Sequence, residues 1–411
     1  MLKFFWQILF GKAGWGLLLL LFTLPISKAQ QPDLQHRSLN LGLCKSLTTS
    51  PKPHQQWRHS FSLSLISTEA GGIRGVGLAP AYQYYTQEAD GLLLTGGLTR
   101  SGGGIRGLSI SGLGHYSQGR IQGVQLGGLA LAARQGLSGL QVAGLGNLTQ
   151  GSHMGLSLAG GVNLGWRDLL GVQVAPANIA QRHIRGVQAG ILNFCGRRME
   201  GLQIGVMNLT RSRSRGVQVG LVNRVWVNEG LHIGLVNVAD SNSGLQLGLV
   251  NWVKHSGLRQ VSFSVDDYLL AAATIRVGVP AWYTLAQVGV GRGVETAHWA
   301  WGLGVGSRVW QLNGQDGLHL EGLAMLAAVN DWWTPQARAW LYRLQVLWQR
   351  EVLPGKGFQA GLVLNVRHNR PDEQEPADLP DESFYGFAEG RSDQGHAWRF
   401  WPGVQVGVFF Q

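Results

Sequence analysis

From about residue 72 the chain runs through one short pattern of apolar and polar positions many times over. In Gly201–Asn208, GLQIGVMN, the side chains Leu202, Ile204 and Val206 alternate with Gln203, Gly205 and Met207, the period-two signature of a strand with one apolar face. Gly186–Asn193, Gly216–Asn223, Gly230–Asn237 and Gly244–Asn251 repeat it with small changes. Marker glycines fall every 16 residues from Gly75 to Gly171, every 15 through Gly186, Gly201 and Gly216, and every 14 at Gly230 and Gly244. Polar or basic residues follow the asparagine, as in Thr210 to Arg215 or Asp240 to Ser243, and mark turns. Each unit predicts a short strand or two plus a turn, with the apolar stripe buried. A helix is excluded by the glycine content alone.

Two all-β architectures fit a uniform 14–16-residue unit. In a β-solenoid each unit is one coil, and equivalent residues stack about 4.7–4.9 Å apart. One inserted residue would break every ladder, so the spacing stays regular. Asn178, Asn193, Asn208, Asn223, Asn237 and Asn251 would then form a ladder of side-chain amides. In one large up-and-down barrel nothing forces equal connections, and strands that cross a membrane carry aromatic girdles. Residues 72–257 hold 8 Phe, Trp or Tyr, whereas residues 258–411 hold 21. The repeat block therefore points to a solenoid, with the large barrel as the alternative.

Beyond Leu258 the period is lost, but alternation continues in longer segments. Trp340, Tyr342, Leu344, Val346 and Trp348 share one face, opposite Arg343, Gln345 and Gln349. The stripe begins and ends in tryptophan. Its rise is roughly 27 Å along a strand, or about 20 Å of depth at barrel tilt, near the height of a lipid-facing band. Trp340, Tyr342 and Trp348 are accordingly candidate girdle residues. Similar alternation over 299–309, 358–367 and 398–410 predicts an antiparallel, barrel-like sheet of about eight strands. Trp57–Ser67 is a further strand or pairing partner for it. Phe410 closes an aromatic-rich last strand that resembles the closing strand of bacterial outer-membrane barrels, although Gln411 follows it.

Composition sharpens this picture. Among 411 residues there are 61 glycines and 13 prolines, 45% are apolar and only 14% are charged, which excludes collagen, a disordered chain and an ordinary soluble enzyme. Residues 1–29 read as a cleaved secretory signal. Lys3 and Lys12 precede a leucine-rich core at Trp15–Ile26, and the small residues Ser27 and Ala29 stand before Gln30. That core, about a dozen residues, is shorter than the roughly 20 needed to span a bilayer. The domain expectation is a signal at 1–29, an N-terminal segment with one strand at 30–71, the repeats at 72–257 and the barrel-like domain at 258–411. The two cysteines, Cys44 and Cys195, do not form a disulfide scaffold, and whether they pair is open.

The repeats are basic, with 15 Lys or Arg against 6 Asp or Glu over residues 72–257. Arg182, Arg185, Arg197, Arg198, Arg211, Arg213, Arg215 and Arg224 would fall along one edge of a stack. Such an edge attracts an anionic surface lipid or polymer, or simply keeps the edge solvated against aggregation.

The recurring G-Φ-Q-Φ-G-Φ-Φ-N unit from Gly186 to Asn251 resembles the surface-repeat family of bacterial exported proteins. The resemblance implies a cell-envelope or surface location and carries over no catalytic residue. Phosphate-loop, zinc-protease and C-x-x-C patterns are absent, no regular cation-ligand spacing occurs in the acidic segment 370–397, and no cofactor or metal is implied. His59 beside Ser60, and His298 with Glu295, are the only pairs with any catalytic promise. Nucleic-acid binding is unsupported, since basic and aromatic residues are not interleaved in the repeats. The expectation is a non-enzymatic protein of the bacterial outer membrane or cell surface, in contact with outer-membrane lipid and presenting a repetitive β-surface. The alternatives are a pore or transport channel and a barrel enzyme acting on envelope lipid.

Overall fold

The computed structural model describes residues 34–44, 46–255, 257–292, 297–312, 316–329, 338–369, 388–391 and 397–411. The signal segment, Glu295 and most of the acidic segment lie outside these residues. Almost everything described is strand, and the chain divides into two compact units at Arg211 and Ser212.

The first unit is a solenoid of stacked coils. A coil pairs a longer strand, such as Ser152–Ala159, with a shorter one, such as Val162–Gly165. From Trp57 onward the strands bond in parallel to their copies in adjacent coils, whereas Leu47–Thr48 pairs antiparallel with Gln35–Cys44. Val124, for example, pairs with Leu108 and with Leu140, each one sixteen-residue coil away. The step from 16 to 15 is taken at a single corner. Leu158 still pairs with Val174 at sixteen, but Val162 pairs with Ala177 at fifteen, so the lost residue comes out of the turn at Ala175 and Pro176. A deletion inside a strand would have turned every following side chain to the other face.

The stack begins earlier than the glycine markers suggest. Gln35–Cys44 pairs in parallel with Trp57–Ser64, and that strand pairs in turn with Gly72–Ala79. Trp57–Ser64 is therefore a coil strand and not a partner of the barrel, and the segment 30–71 holds more than one strand.

The marker glycines mark a close approach of backbones. Gly155 has φ +125°, and a Cβ there would stand 2.0 Å from the carbonyl oxygen of Gly139 in the neighbouring coil. Only glycine fits both the conformation and the space.

The direction of the apolar stripe reverses the expectation. Gln203 and Asn208 are buried, whereas Ile204 is 45% and Val206 47% exposed. The same holds coil after coil, with Gln and Asn inside and Leu, Ile and Val outside. Apolar residues fill only the part of the interior beside the polar turns, for example Leu169, Ile184 and Met199 with Ala180 and Cys195. The asparagine ladder was foreseen, but not that it would occupy the core.

The second unit opens with further coils, now offset by fourteen residues, as in Val222 with Val236 and Val236 with Val250. Eight antiparallel strands follow: Leu258–Asp266, Ala271–Val279, Trp282–Arg292, Ala297–Leu312, Asp316–Val329, Arg338–Leu353, Lys356–Asn369 and Ala397–Phe410. Phe263 of the first pairs with Val408 of the last, which closes the barrel. A short strand, Ala388–Arg391, adds to the outer part of the last one. The strand ends Val279 and Trp282, Leu312 and Asp316, and Leu353 and Lys356 gather at one end, the short-turn end, together with the start of the first strand and the finish of the last. The strand ends Asp266 and Ala271, Arg292 and Ala297, Val329 and Arg338, and Asn369 and Ala397 lie at the other end, the long-loop end, where the intervals in sequence are longest. The coils of this unit meet the barrel at the short-turn end, where the Thr284 hydroxyl donates to the Leu249 carbonyl at 3.0 Å and the Arg259 guanidinium lies 4.9 Å from the Trp252 ring centre.

Candidate functional site

Strand alternation gives the barrel two walls of opposite character. Leu303, Val305, Leu344, Val346, Leu362, Leu364, Val404 and Val406 point outward and are exposed. Aromatic rings bracket this apolar zone. Trp301, Trp340, Tyr342, Trp398 and Phe400 lie toward the long-loop end, and Trp310, Trp348, Phe358 and Phe410 toward the short-turn end. Trp340 and Tyr342 stack at 6.4 Å, as do Tyr342 and Trp398, while His368 stacks on Trp398 at 4.0 Å. The three girdle candidates thus share the outer face, at two heights. Beside the first strand, small residues at Ala271, Ala273, Gly289 and Gly407 leave an open apolar groove of about 630 Å³ rimmed by Phe263, Trp299 and Phe358.

The inner wall carries the charge. Arg276 binds Glu321 through two parallel bonds of 2.6 and 2.9 Å, with both side chains 0% exposed, and its remaining nitrogen donates to Ser262. The Tyr283 hydroxyl donates to the same carboxylate at 2.7 Å and stands 2.8 Å from His319 Nδ1. A second cluster joins Arg343 to Asp266 at 2.7 Å and to the Asn365 amide oxygen at 3.0 Å. Gln349 donates to Gln260 and Gln359, and Gln405 to Ser264. Arg276 and Glu321, and Arg343 and Asp266, are each paired and hydrogen-bonded, which is what makes their burial tolerable. The rest of the interior is filled by Tyr268, Leu285, Leu323, Met325, Leu341 and Trp401. Sequence reading had placed Arg343, Gln345 and Gln349 opposite the aromatic stripe but missed the two ion pairs. Their signal was there: isolated charges at inward register in otherwise apolar strands, Arg276 and Glu321 among them.

The coil interior is a second ordered polar system. In the first unit, Asn147, Asn163, Asn178, Asn193 and Asn208 form a continuous ladder, each Nδ2 donating to the next Oδ1 at 2.9–3.0 Å. The same amides also donate to strand carbonyls, as Asn178 does to Ala189 at 2.8 Å. Beside it the Gln188 amide donates to Gln173, and Gln203 to Gln188. In the second unit Asn223, Asn237 and Asn251 continue the motif at 2.8 Å. Histidines replace amides at a few rungs. His115 Nδ1 accepts from Ser109 and Ser111 while Nε2–H donates to the Leu126 carbonyl. Burial pushes His115, His153 and His232 down to about 4.

The arginine edge is partly neutralised. Glu200 takes Arg185 and Arg198, Glu229 takes Arg213 and Arg215, and Asp240 takes Arg224. Arg182 and Arg197 stand exposed at the polar turns of the first unit, and Arg211 stands exposed within the strand Leu202–Ser214. Arg224 departs from the expected edge. Its register partner is Val238, followed by Trp252, so it projects from a strand face and not from a turn.

Among the described residues the histidine candidates gather no catalytic group, and Glu295, the expected partner of His298, lies outside them. His298 is buried in the barrel and donates from Nε2 to the Tyr268 carbonyl, and His59 is buried in the stack with Ser60 turned to the other face. Cys44 and Cys195 are not joined. The Cys195 thiol is buried, donates to the Arg182 carbonyl, and is pushed up to about 12 by burial. No group of three or more potential metal-ligating side chains converges among the described residues. No family model, no curated protein and no solved structure matches the chain.

Proposed function

We propose that this chain is an envelope protein of a bacterial outer membrane, anchored by its eight-stranded barrel and carrying its repeat coils as a rigid, non-enzymatic β-surface. One observation supports the reading above the others: the barrel is apolar and exposed outside, ring-bracketed at two heights, and polar inside, with two buried ion pairs. In water that arrangement is inverted; in lipid it is the expected one. A soluble barrel would turn Leu344 and Val346 inward and the ion pairs of Arg276 and Arg343 outward. A secretory signal at residues 1–29, expected from the sequence, would bring the chain to this address.

Outer-membrane barrels place short turns and both barrel ends on the periplasmic side and long loops outside. By that rule the short-turn end, and with it the coils against Thr284 and Arg259, face the periplasm. The repeats then serve inside the envelope, not on the cell surface. A channel fits less well, because eight strands enclose only enough room for side chains and here that room is filled.

Cell fractionation of the full chain, followed by protease treatment of intact and of permeabilised cells, tests the reading. The product should pellet with outer membranes, and the repeats should be cut only after permeabilisation. Recovery of the mature chain in the soluble fraction would refute it.

A further inference from the structure

The first unit has an amphipathic cross-section that the barrel reading leaves unused. At one corner of most coils the turn carries an exposed apolar side chain, with glycine pairs at Gly96-Gly97 and Gly160-Gly161 between them. Leu113, Leu129 and Leu145 stack directly, each amide bonding to the carbonyl of the one before, and Ile191 and Val206 continue the corner at the other end of the unit. The strands leaving this corner present Leu, Ile and Val outward, for example Leu108, Ile110 and Val174. At the opposite edge the turns are polar, and over residues 72–211 Lys and Arg outnumber Asp and Glu by 11 to 4. Tyr84 and Tyr116 border that edge, with the Arg100 guanidinium 5.9 and 5.6 Å from their ring centres, and Trp166 sits in one of its turns.

Three physical facts decide what such a surface meets. An apolar surface can lie in hydrocarbon only if its backbone groups are satisfied within the protein. Here the coils meet that demand even at the corner, where Gly128 and Gly144 donate to Ser111 and Gly127, and Ala177 and Ile191 to Gly161 and Pro176. The span from Leu145 to the turn at Gln150 is about 17 Å of strand, close to half of a hydrocarbon core of roughly 30 Å. Tyrosine, tryptophan and arginine at the far edge are the residues that settle at headgroup depth and attract anionic lipid.

We infer that the first unit lies edge-on in one leaflet of an anionic phospholipid bilayer, its leucine corner among the acyl chains and its arginine turns at the phosphates. The inference rests on the membrane reading of the barrel only for which membrane is used; the contact itself stands on the first unit's own surface.

The test uses the full chain reconstituted into vesicles of phosphatidylethanolamine and phosphatidylglycerol. Single cysteines are placed at Leu145→Cys, Gln135→Cys or Leu344→Cys in a background with Cys44→Ser and Cys195→Ala, and each is labelled with a small fluorophore. Phospholipids carrying a nitroxide either deep in the acyl chain or at the headgroup serve as quenchers. The label at position 145 should lose most of its emission to the deep quencher, and that at 135 to the headgroup quencher only. Position 344, on the barrel wall, reports the anchor separately. Deep quenching at 344 but none at 145 would overturn the inference while leaving the anchor intact; no quenching at either would remove both. An unquenched 145 label with a concentration-dependent doubling of size in detergent would assign the leucine corner to a second copy instead.

Discussion

Asn178 donates from Nδ2 to the Oδ1 of Asn193 at 3.0 Å, and the two residues occupy equivalent places in adjacent coils. Each such amide accepts from one neighbour and donates to the next, so a coil's core is closed by its copies. Asn178→Ala leaves the buried Asn193 Oδ1 without its donor and takes one bond each from the Asn163 amide and the Ala189 carbonyl. A loss of about 1–3 kcal/mol is expected, because an orphaned buried polar group costs its desolvation. Urea unfolding followed by circular dichroism measures it, and a value within error of the unsubstituted protein would contradict the ladder.

Gly155 tests the close approach of coils. Adding one methyl there, Gly155→Ala, forces a side chain into φ +125° and against the Gly139 carbonyl. The expected destabilisation is more than about 1 kcal/mol, beyond the ordinary gain from stiffening an unfolded chain. Gly322→Ala is the control, since a Cβ there meets nothing within 4 Å. Similar thermal midpoints for both variants would argue against the tight stack.

In the barrel, Glu321→Ala strands Arg276 in a closed interior. The expected cost is about 3–5 kcal/mol, whereas the double variant Arg276→Met with Glu321→Leu should lose much less, since an apolar pair of similar volume replaces the charges. Unfolding in detergent micelles, read by gel mobility before and after heating, separates the cases. Equal losses in the single and double variants would count against the pairing.

On the outer wall, Leu344→Arg puts a charge on the proposed lipid face. Near the bilayer midplane such a change costs roughly 2–4 kcal/mol of folding in lipid. Refolding yield into vesicles should fall, while Gln311→Arg, at the exposed short-turn end, should leave it unchanged. An unaffected Leu344→Arg variant would mean that this wall does not face lipid.

Stability should fall with acid between about pH 6.5 and pH 4. His115, His153 and His232 stay neutral in the fold down to about 4, but their unfolded counterparts bind protons from about 6.5. Over that window the unfolded state holds more protons, so lowering the pH favours it; above about 6.5 the contribution is complete and constant. His115→Gln should flatten part of this slope in a pH series of urea midpoints.

The sequence by itself determined the all-β character, the 14–16-residue repeat and about eight longer strands after Leu258, and left open whether the repeats coil or join one large barrel. Period-two alternation and a fixed glycine interval are local facts, and a stack tolerates no other spacing: Gly75 to Gly171 set the register of neighbouring coils. It also put Asn178 and its copies on one ladder and Trp340, Tyr342 and Trp348 on one face. What alternation cannot say is which face is inside. Leu202 and Gln203 differ by one position in every coil, and only the closure of the coil, with amides satisfied by their own copies, turned Gln203 inward and Ile204 out. The partners of Arg276 and Arg343 were hidden for a related reason. Glu321 lies 45 residues from Arg276, and Asp266 lies 77 from Arg343. They meet only because the eighth strand returns to the first, and a closed wall leaves a buried charge no partner except the one facing it across the barrel.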